Sequence, residues 1–209
     1  MEDHSSGGRQ RFLPPSCISR KGCMYGKDGA ALRQMLSERH LQKEYLIESG
    51  EFMRRQKKVE DSRTENTYLI MPKHINGYGR LFGGVLMQWI DEVAGTVARR
   101  HAGSIVTTAC VDNLNFKAGA YLGNTVVLIG RMTYVGTTSM EVRVDTYVED
   151  MDGTRKMINR AYEVLVAIDQ EDRKQEVPGL LIETEAERAE WIGGEKRYAL
   201  RKQRRREGY

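Results

Sequence analysis

Leu81-Phe-Gly-Gly-Val-Leu-Met-Gln-Trp-Ile-Asp-Glu-Val-Ala-Gly-Thr-Val-Ala98 reads as one amphipathic helix opened by two glycines. At about 100° per residue, Val85, Leu86, Trp89, Ile90, Val93, Ala94 and Val97 form one broad apolar stripe, opposed by Gln88, Gly95 and Arg99. Such a helix buries one side. Asp91 and Glu92 fall at opposite borders of the polar arc, so periodicity alone barely separates them. Gly95, one turn after Asp91, leaves a notch through which another group can approach that side chain. Asp91 is therefore the acid of this segment expected to be partly desolvated and functional.

Working outward, residues 64–71 read as a strand, and Pro72-Lys-His-Ile-Asn-Gly-Tyr-Gly79 as a glycine-bearing loop into the helix. The helix runs out near Arg100-His-Ala-Gly103, with bases and a glycine at its C-terminal end. Four strand-like runs follow, at 104–116, 124–135, 138–149 and 155–168. In the third, Met140, Val142, Val144, Thr146 and Val148 alternate with Glu141, Arg143, Asp145, Tyr147 and Glu149, which predicts one buried face and one wet face. The short links between runs predict antiparallel neighbours. The expected architecture is α+β, a curved antiparallel sheet wrapped around one long helix.

The chain's 209 residues and 40% hydrophobic content suit one core of ordinary size with tails, rather than two domains. Residues 1–59 read as a flexible, partly helical extension, 60–178 as the folded domain and 179–209 as a charged helical tail, broken at Gly193-Gly194. No apolar run approaches 18 residues and the start lacks a charged-then-apolar signal pattern, so the expectation is a soluble, cytoplasmic protein with no membrane contact. Cys17, Cys23 and Cys110 have no metal-type spacing; no metal and no disulfide framework is expected, and Cys110 reads as a small core residue. The net charge of +4 is local, because Gly194–Tyr209 holds seven bases against two acids. That tail could meet phosphate groups of a ligand, nucleic acid, or water.

Four features could carry chemistry. Gly83 and Gly84 permit close approach to free N–H donors at the positive end of the helix, although they could equally be a packing pair. Asn76 offers a side-chain donor before the helix, or simply an Asn-Gly turn with Gly77. Asp91 lies seven residues beyond Gly84, roughly 10 Å along the helix, so one carbonyl cannot touch both within a chain. If both act on one substrate they come from two subunits, which predicts an obligate dimer. Thr137, Thr138 and Ser139 follow Gly136 at a strand start and offer hydroxyls to phosphate or amide groups. His74 has neither triad order nor metal spacing around it, and no phosphate-binding or dinucleotide glycine pattern is present, which disfavours ATP and NAD chemistry.

Four blocks together, Asn76 to Asp91, Asp112-Asn-Leu-Asn-Phe116, Val135-Gly-Thr-Thr-Ser139-Met and Ala161-Tyr-Glu-Val-Leu-Val-Ala167-Ile-Asp169, resemble the hotdog-fold acyl-coenzyme A thioesterases over residues 60–180. The resemblance implies hydrolysis of fatty acyl-CoA to fatty acid and CoA by a homodimer, often a trimer of dimers, without a cofactor beyond the CoA of the substrate. It implies Asp91 as general base or nucleophile, with Asn76 and the Gly84 N–H holding the thioester carbonyl. Gly83, Phe116, Lys117, Thr137, Thr138, Ser139 and Arg131 are then expected along the CoA arm, with the basic tail near its phosphates. Many relatives carry arginine at the position of Thr137 and proline at that of Gly119; the first difference shifts the phosphate contact toward Lys117, Arg131 or the tail. A thioester carbonyl is electrophilic enough for one base and a few oriented donors to suffice. The alternatives are an acyl-CoA-binding sensor without turnover and, from the basic tail, a nucleic-acid module. The tail has few aromatics for stacking, and a hotdog dehydratase would need a histidine at the site-forming positions.

Overall fold

A computed structural model of the chain describes residues 54–208, the Asn113 side chain excepted. The expected leader, and the expected helical pattern of residues 30–58 as far as residue 53, lie outside the described residues; at the end of that pattern Gln56–Lys58 is a strand. The apolar stripe becomes helix α1, Gly83–Ala102, whose buried residues include Leu86, Trp89, Ile90, Val93, Ala94, Val97 and Ala98. It lies against a five-stranded antiparallel sheet made of β2 (Thr64–Leu69), β3 (Ile105–Phe116), β4 (Thr125–Val135), β5 (Ser139–Glu149) and β6 (Arg155–Ile168), in the order β2-β4-β5-β6-β3. Two short strands, β1 (Gln56–Lys58) and β7 (Gly179–Leu181), pair in parallel beside it. This is the expected α+β hotdog arrangement of a curled sheet around one helix.

Helix and sheet meet at a glycine. A Cβ built on Gly130 of β4 would stand 2.6 Å from Val93 Cγ1 and 2.9 Å from Val97 Cγ2, so only a bare backbone lets the two surfaces close. At the far end of α1 the fully buried His101 bonds the Pro178 carbonyl through Nε2 at 3.0 Å, and burial pushes its pKa down, which favours the neutral ring.

Four local expectations need correction. The run at 104–116 does not neighbour the next one: β3 pairs with β6 at the far edge of the sheet. Its exit instead returns to the loop before α1, where Leu81 N–H bonds the Ala120 carbonyl at 2.8 Å and Arg80 bridges to Tyr121. Cys110, on this edge strand, is exposed rather than in the core.

The polar face of β5 is not wet. Glu141 and Asp145 retain 1% and 0% of their exposure, and Arg143 is also buried, because helix α2, Glu185–Glu207, lies over that face. Thr184 and Glu187 form a capping box at its start. The helix is not broken at Gly193-Gly194: a Cβ on Gly194 would stand 2.5 Å from Tyr134 Cβ, so this glycine serves contact with β4. Asp145 accepts from Arg143 Nε at 2.9 Å, Arg160 Nε at 2.7 Å and Arg131 Nη2 at 3.3 Å. Burial alone would raise this carboxyl, but the bonds from Arg143 and Arg160 hold it below the ordinary range. Glu141 accepts from Thr133, Arg197 and Arg201, and Asp112 from Arg201 and Arg204.

Arg201 Nη1 bridges Asp112 and Glu141 at 2.7 Å each with both acids nearly sealed from water. Arg201→Ala should therefore lower stability by about 3 kcal/mol, the lower end for breaking a buried pair while Arg197 and Arg204 remain. Denaturant titration should show a lower midpoint with an unchanged slope. A loss below about 1 kcal/mol would mean the pair behaves as a surface salt bridge.

Candidate active site

The loop before α1 is held by its own turns and by aromatic contacts. Tyr68 stacks on Trp89 at 4.4 Å between ring centroids, and His74 meets Trp89 edge-on at 5.0 Å. His74 Nδ1 also accepts the Met71 N–H at 3.1 Å, a structural role for a residue with no catalytic partners in sequence. Asn76 Oδ1 accepts from the Tyr78 N–H at 3.0 Å and the Arg80 N–H at 3.2 Å. The turn that competes with a functional reading of Asn76 thus exists, and it uses the amide oxygen. The Nδ2 donor is consequently turned the other way.

Phe82 caps α1 without a side-chain bond, and its carbonyl accepts from the Val85 and Leu86 N–H groups. Among the described residues no backbone carbonyl accepts from Gly83 or Gly84. A Cβ on Gly84 would stand 2.7 Å from the Phe82 ring, and one on Gly83 would stand 3.5 Å from Phe116. Gly84 therefore answers a packing need that Gly83 does not, and both leave unspent donors at the positive end of a 20-residue helix.

Asn76 and Gly83 line an open cleft of about 420 Å³ with Arg80, Phe116, Lys117 and Ile158. Thr138 and Ser139 line a separate cleft of about 500 Å³, with Cys110, Lys174, Arg204 and Arg205 around them. Asp112 also lines this second cleft and pairs with Arg201 and Arg204, which leaves its positive rim to Lys174 and Arg205. Thr137 is exposed in the turn beside it, and its carbonyl accepts the Val177 N–H. Arg131 is brought to neither cleft, since its guanidinium is taken by Asp145.

Asp91 stands on the flank of α1 that faces β3. It is exposed on this single chain, and a Cβ on Gly95 would meet nothing within 4 Å, so the notch beside it is open. Its Oδ1 accepts the Thr108 hydroxyl of β3 at 2.5 Å. Behind it lies Glu163 of β6, only 2% exposed and within reach of the Asp91 carboxylate. Burial first, and then the Asp91 charge, push the Glu163 carboxyl up to about 7. Asp91 does not meet Asn76 or Gly84 among the described residues; it shares the cleft of neither.

Thr108 and Glu163 escaped the sequence reading. Thr108 is half of an unremarked Thr-Thr pair in a strand, where a hydroxyl carries no signal. Glu163 had one: it is the lone charge in the apolar run Ala161–Ile168, where an unpaired acid is costly. Among the described residues no group of three or more His, Cys, Asp or Glu could hold a metal ion.

The model of the thioesterase superfamily matches residues 78–154. The human cytosolic acyl coenzyme A thioester hydrolase is 35% identical over 150 residues, covering 70% of this chain, which spans only 40% of that protein's length. An acyl-CoA hydrolase from Staphylococcus aureus, solved with butyryl coenzyme A and coenzyme A, is 31% identical with a TM-score of 0.70, covering 73% of this chain and 93% of that one. The same enzyme was solved with an aspartate, an asparagine and a threonine each exchanged for alanine; in chain order asparagine, aspartate and threonine lie fifteen and seventeen residues apart. An apo-hexameric acyl-CoA thioesterase is 35% identical with a TM-score of 0.69, covering 72% of this chain and 97% of that one. With its curled sheet, its central helix and this degree of identity over nearly whole solved chains, the protein belongs to the thioesterase superfamily, among the hotdog-fold acyl-CoA thioesterases.

Proposed function

We propose that the protein hydrolyses the thioester of fatty acyl-CoA to free fatty acid and CoA, in a site shared between two subunits. Asp91 takes a proton from water, which attacks the thioester carbonyl carbon. The Gly84 N–H and Asn76 Nδ2 hold the oxyanion until the CoA thiolate leaves. The single observation that carries this reading is the Asp91 carboxylate, gripped by Thr108 at 2.5 Å beside an open notch. Asn76, Asp91 and Thr108 also stand in the order and at the spacing of the three residues exchanged in the Staphylococcus aureus enzyme.

The two-subunit arrangement follows from distance. Seven residues of helix put Gly84 roughly 10 Å from Asp91, more than one carbonyl can span. Strand β3 is an edge strand of twelve residues, paired only with β6 among the described residues, and an edge of that length invites a second copy. Pairing β3 with its equivalent in a partner would close the notch over Asp91. The hexameric relative favours a trimer of such dimers. No described helix is long and apolar enough to cross a membrane, and the name of the human relative favours a cytosolic site of action.

The CoA arm is assigned to the clefts that hold Gly83, Phe116 and Lys117 on one side and Thr138 and Ser139 on the other, with Thr137 at the margin. Arg131 drops out of this set, because moving it would uncover the buried Asp145. The phosphates fall instead to Lys174 and Arg205. Acyl-CoA is favoured over nucleic acid because Arg197, Arg201 and Arg204 of the tail are committed to Glu141 and Asp112.

Asp91→Asn should lower kcat at least about 100-fold, the low end for losing a general base, with the oligomer intact by light scattering. Thr108→Val should cost about tenfold, the scale of one hydrogen bond to a charged group. Near wild-type thiol release by Asp91→Asn would overturn the assignment of Asp91 as base, and no thiol release by the unaltered protein across a panel of acyl-CoA species would leave only an acyl-CoA-binding role. Lys174→Ala combined with Arg205→Ala should raise KM for acyl-CoA several-fold with little change in kcat, and should leave an acyl-pantetheine thioester unaffected. An equal effect on both substrates would place the phosphates elsewhere.

A further inference from the structure

We propose that Glu163 is a positioning residue for Asp91: in its neutral form it donates its O–H to the Asp91 carboxylate, so the pair keeps one negative charge where the oxyanion will form. The inference rests on the reading of Asp91 as the base, and adds a residue that reading does not need. Glu163 is 2% exposed, and its Oε2 has no hydrogen-bond acceptor or donor of its own among the described residues. A buried carboxylate left so would be costly, whereas a carboxylic acid in hydrogen-bond contact with Asp91 is satisfied.

The surroundings leave Asp91 as the charge Glu163 must answer to. Its register partners are Val111 on β3 and Val142 on β5, both apolar. The charged neighbours along those strands turn to the opposite face, where they are matched: Asp112 with Arg201 and Arg204, Glu141 with Arg197 and Arg201, and Arg143 with Asp145 and Glu190. From α1, Asp91 faces it, while Glu92 accepts from Tyr68 and Gln88 on the other flank. Thr108 on β3 and Glu163 on β6 therefore hold Asp91 from adjacent strands.

The arrangement has a direction with pH. The Glu163 carboxyl lies raised to about 7, so the neutral donor is present below that value and is lost as pH rises through it. Once ionised, Glu163 repels Asp91 and adds a second negative charge beside a developing oxyanion, which slows the chemical step. Glutamine keeps an N–H donor in the same place but does not titrate; leucine fills the volume and donates nothing.

The test is kcat from about pH 5.5 to 8.5 for wild type, Glu163→Gln and Glu163→Leu, with circular dichroism and light scattering on each. Wild-type kcat should fall as pH rises through about 7. Glu163→Gln should lose that descending limb, and should restore most of the roughly tenfold drop in kcat expected of Glu163→Leu at about pH 6, the scale of losing one hydrogen bond to a charged group. Wild-type kcat in Glu163→Leu, or an unchanged descending limb in Glu163→Gln, overturns the proposal. Should the leucine variant fail to fold, carboxyl 13C NMR decides: the Glu163 titration should move to lower pH in Asp91→Asn, and an unmoved titration overturns the coupling. An active Asp91→Asn enzyme overturns the base assignment itself, whereas inactive Asp91→Asn with indifferent Glu163 variants overturns this inference alone.

Discussion

The closure of α1 onto β4 at Gly130 is the contact on which the rest depends. With no side chain there, Val93 and Val97 reach the sheet backbone, and the rotation of the helix is fixed by their fit. That rotation turns Asp91 toward β3 and Glu92 toward β2, where Glu92 bonds Tyr68. It also sets the glycine-headed end of the helix over the cleft that holds Asn76 and Phe116. Two chemically useful features are thus carried on one rigid rod and kept roughly 10 Å apart, which no side-chain motion can close.

Much of this architecture is legible in the chain. The stripe from Val85 to Val97 has the period of a helix, and the runs after it have the alternation and the turn residues of antiparallel strands. Pairing order is not legible, because β3 finds β6 through contacts distant in sequence, and a link of eight residues reads like a wide hairpin. The outer face of β5 misleads for a different reason. Glu141, Arg143 and Asp145 have the pattern of solvated residues, and only partners distant in the chain, Arg197, Arg201 and Glu190 of α2 and Arg160 of β6, convert them to a buried ionic layer. An alternating strand states which residues share a face, not what covers it.

The candidate site divides along the same line. Asp91, Asn76 and the glycine pair are visible because helix borders, loop chemistry and helix starts have sequence signatures. The grouping of Asn76 with Gly83, and of Thr138 with Ser139, follows from short stretches whose local geometry the sequence constrains, whereas Phe116 and Lys117 reach Asn76 only because the exit of β3 returns to the loop before α1. Arg131 was drawn in by charge alone, and charge does not say that Asp145 already holds it. Thr108 and Glu163 become part of the site only through strand pairing, since β3 and β6 bring them to one carboxylate from positions 55 residues apart in the chain.

The claim most exposed to a single measurement is that the base and the carbonyl-binding groups come from different protomers. Asp91→Asn and Asn76→Ala are each to be prepared as inactive oligomers, then mixed in equal amounts under conditions where subunit exchange is verified by mass. A composite site places one intact Asp91 opposite one intact Asn76 in each mixed dimer, and roughly a quarter of wild-type acyl-CoA hydrolysis should return. No recovery in a fully exchanged mixture would mean that both groups act from the same chain, contradicting the shared site.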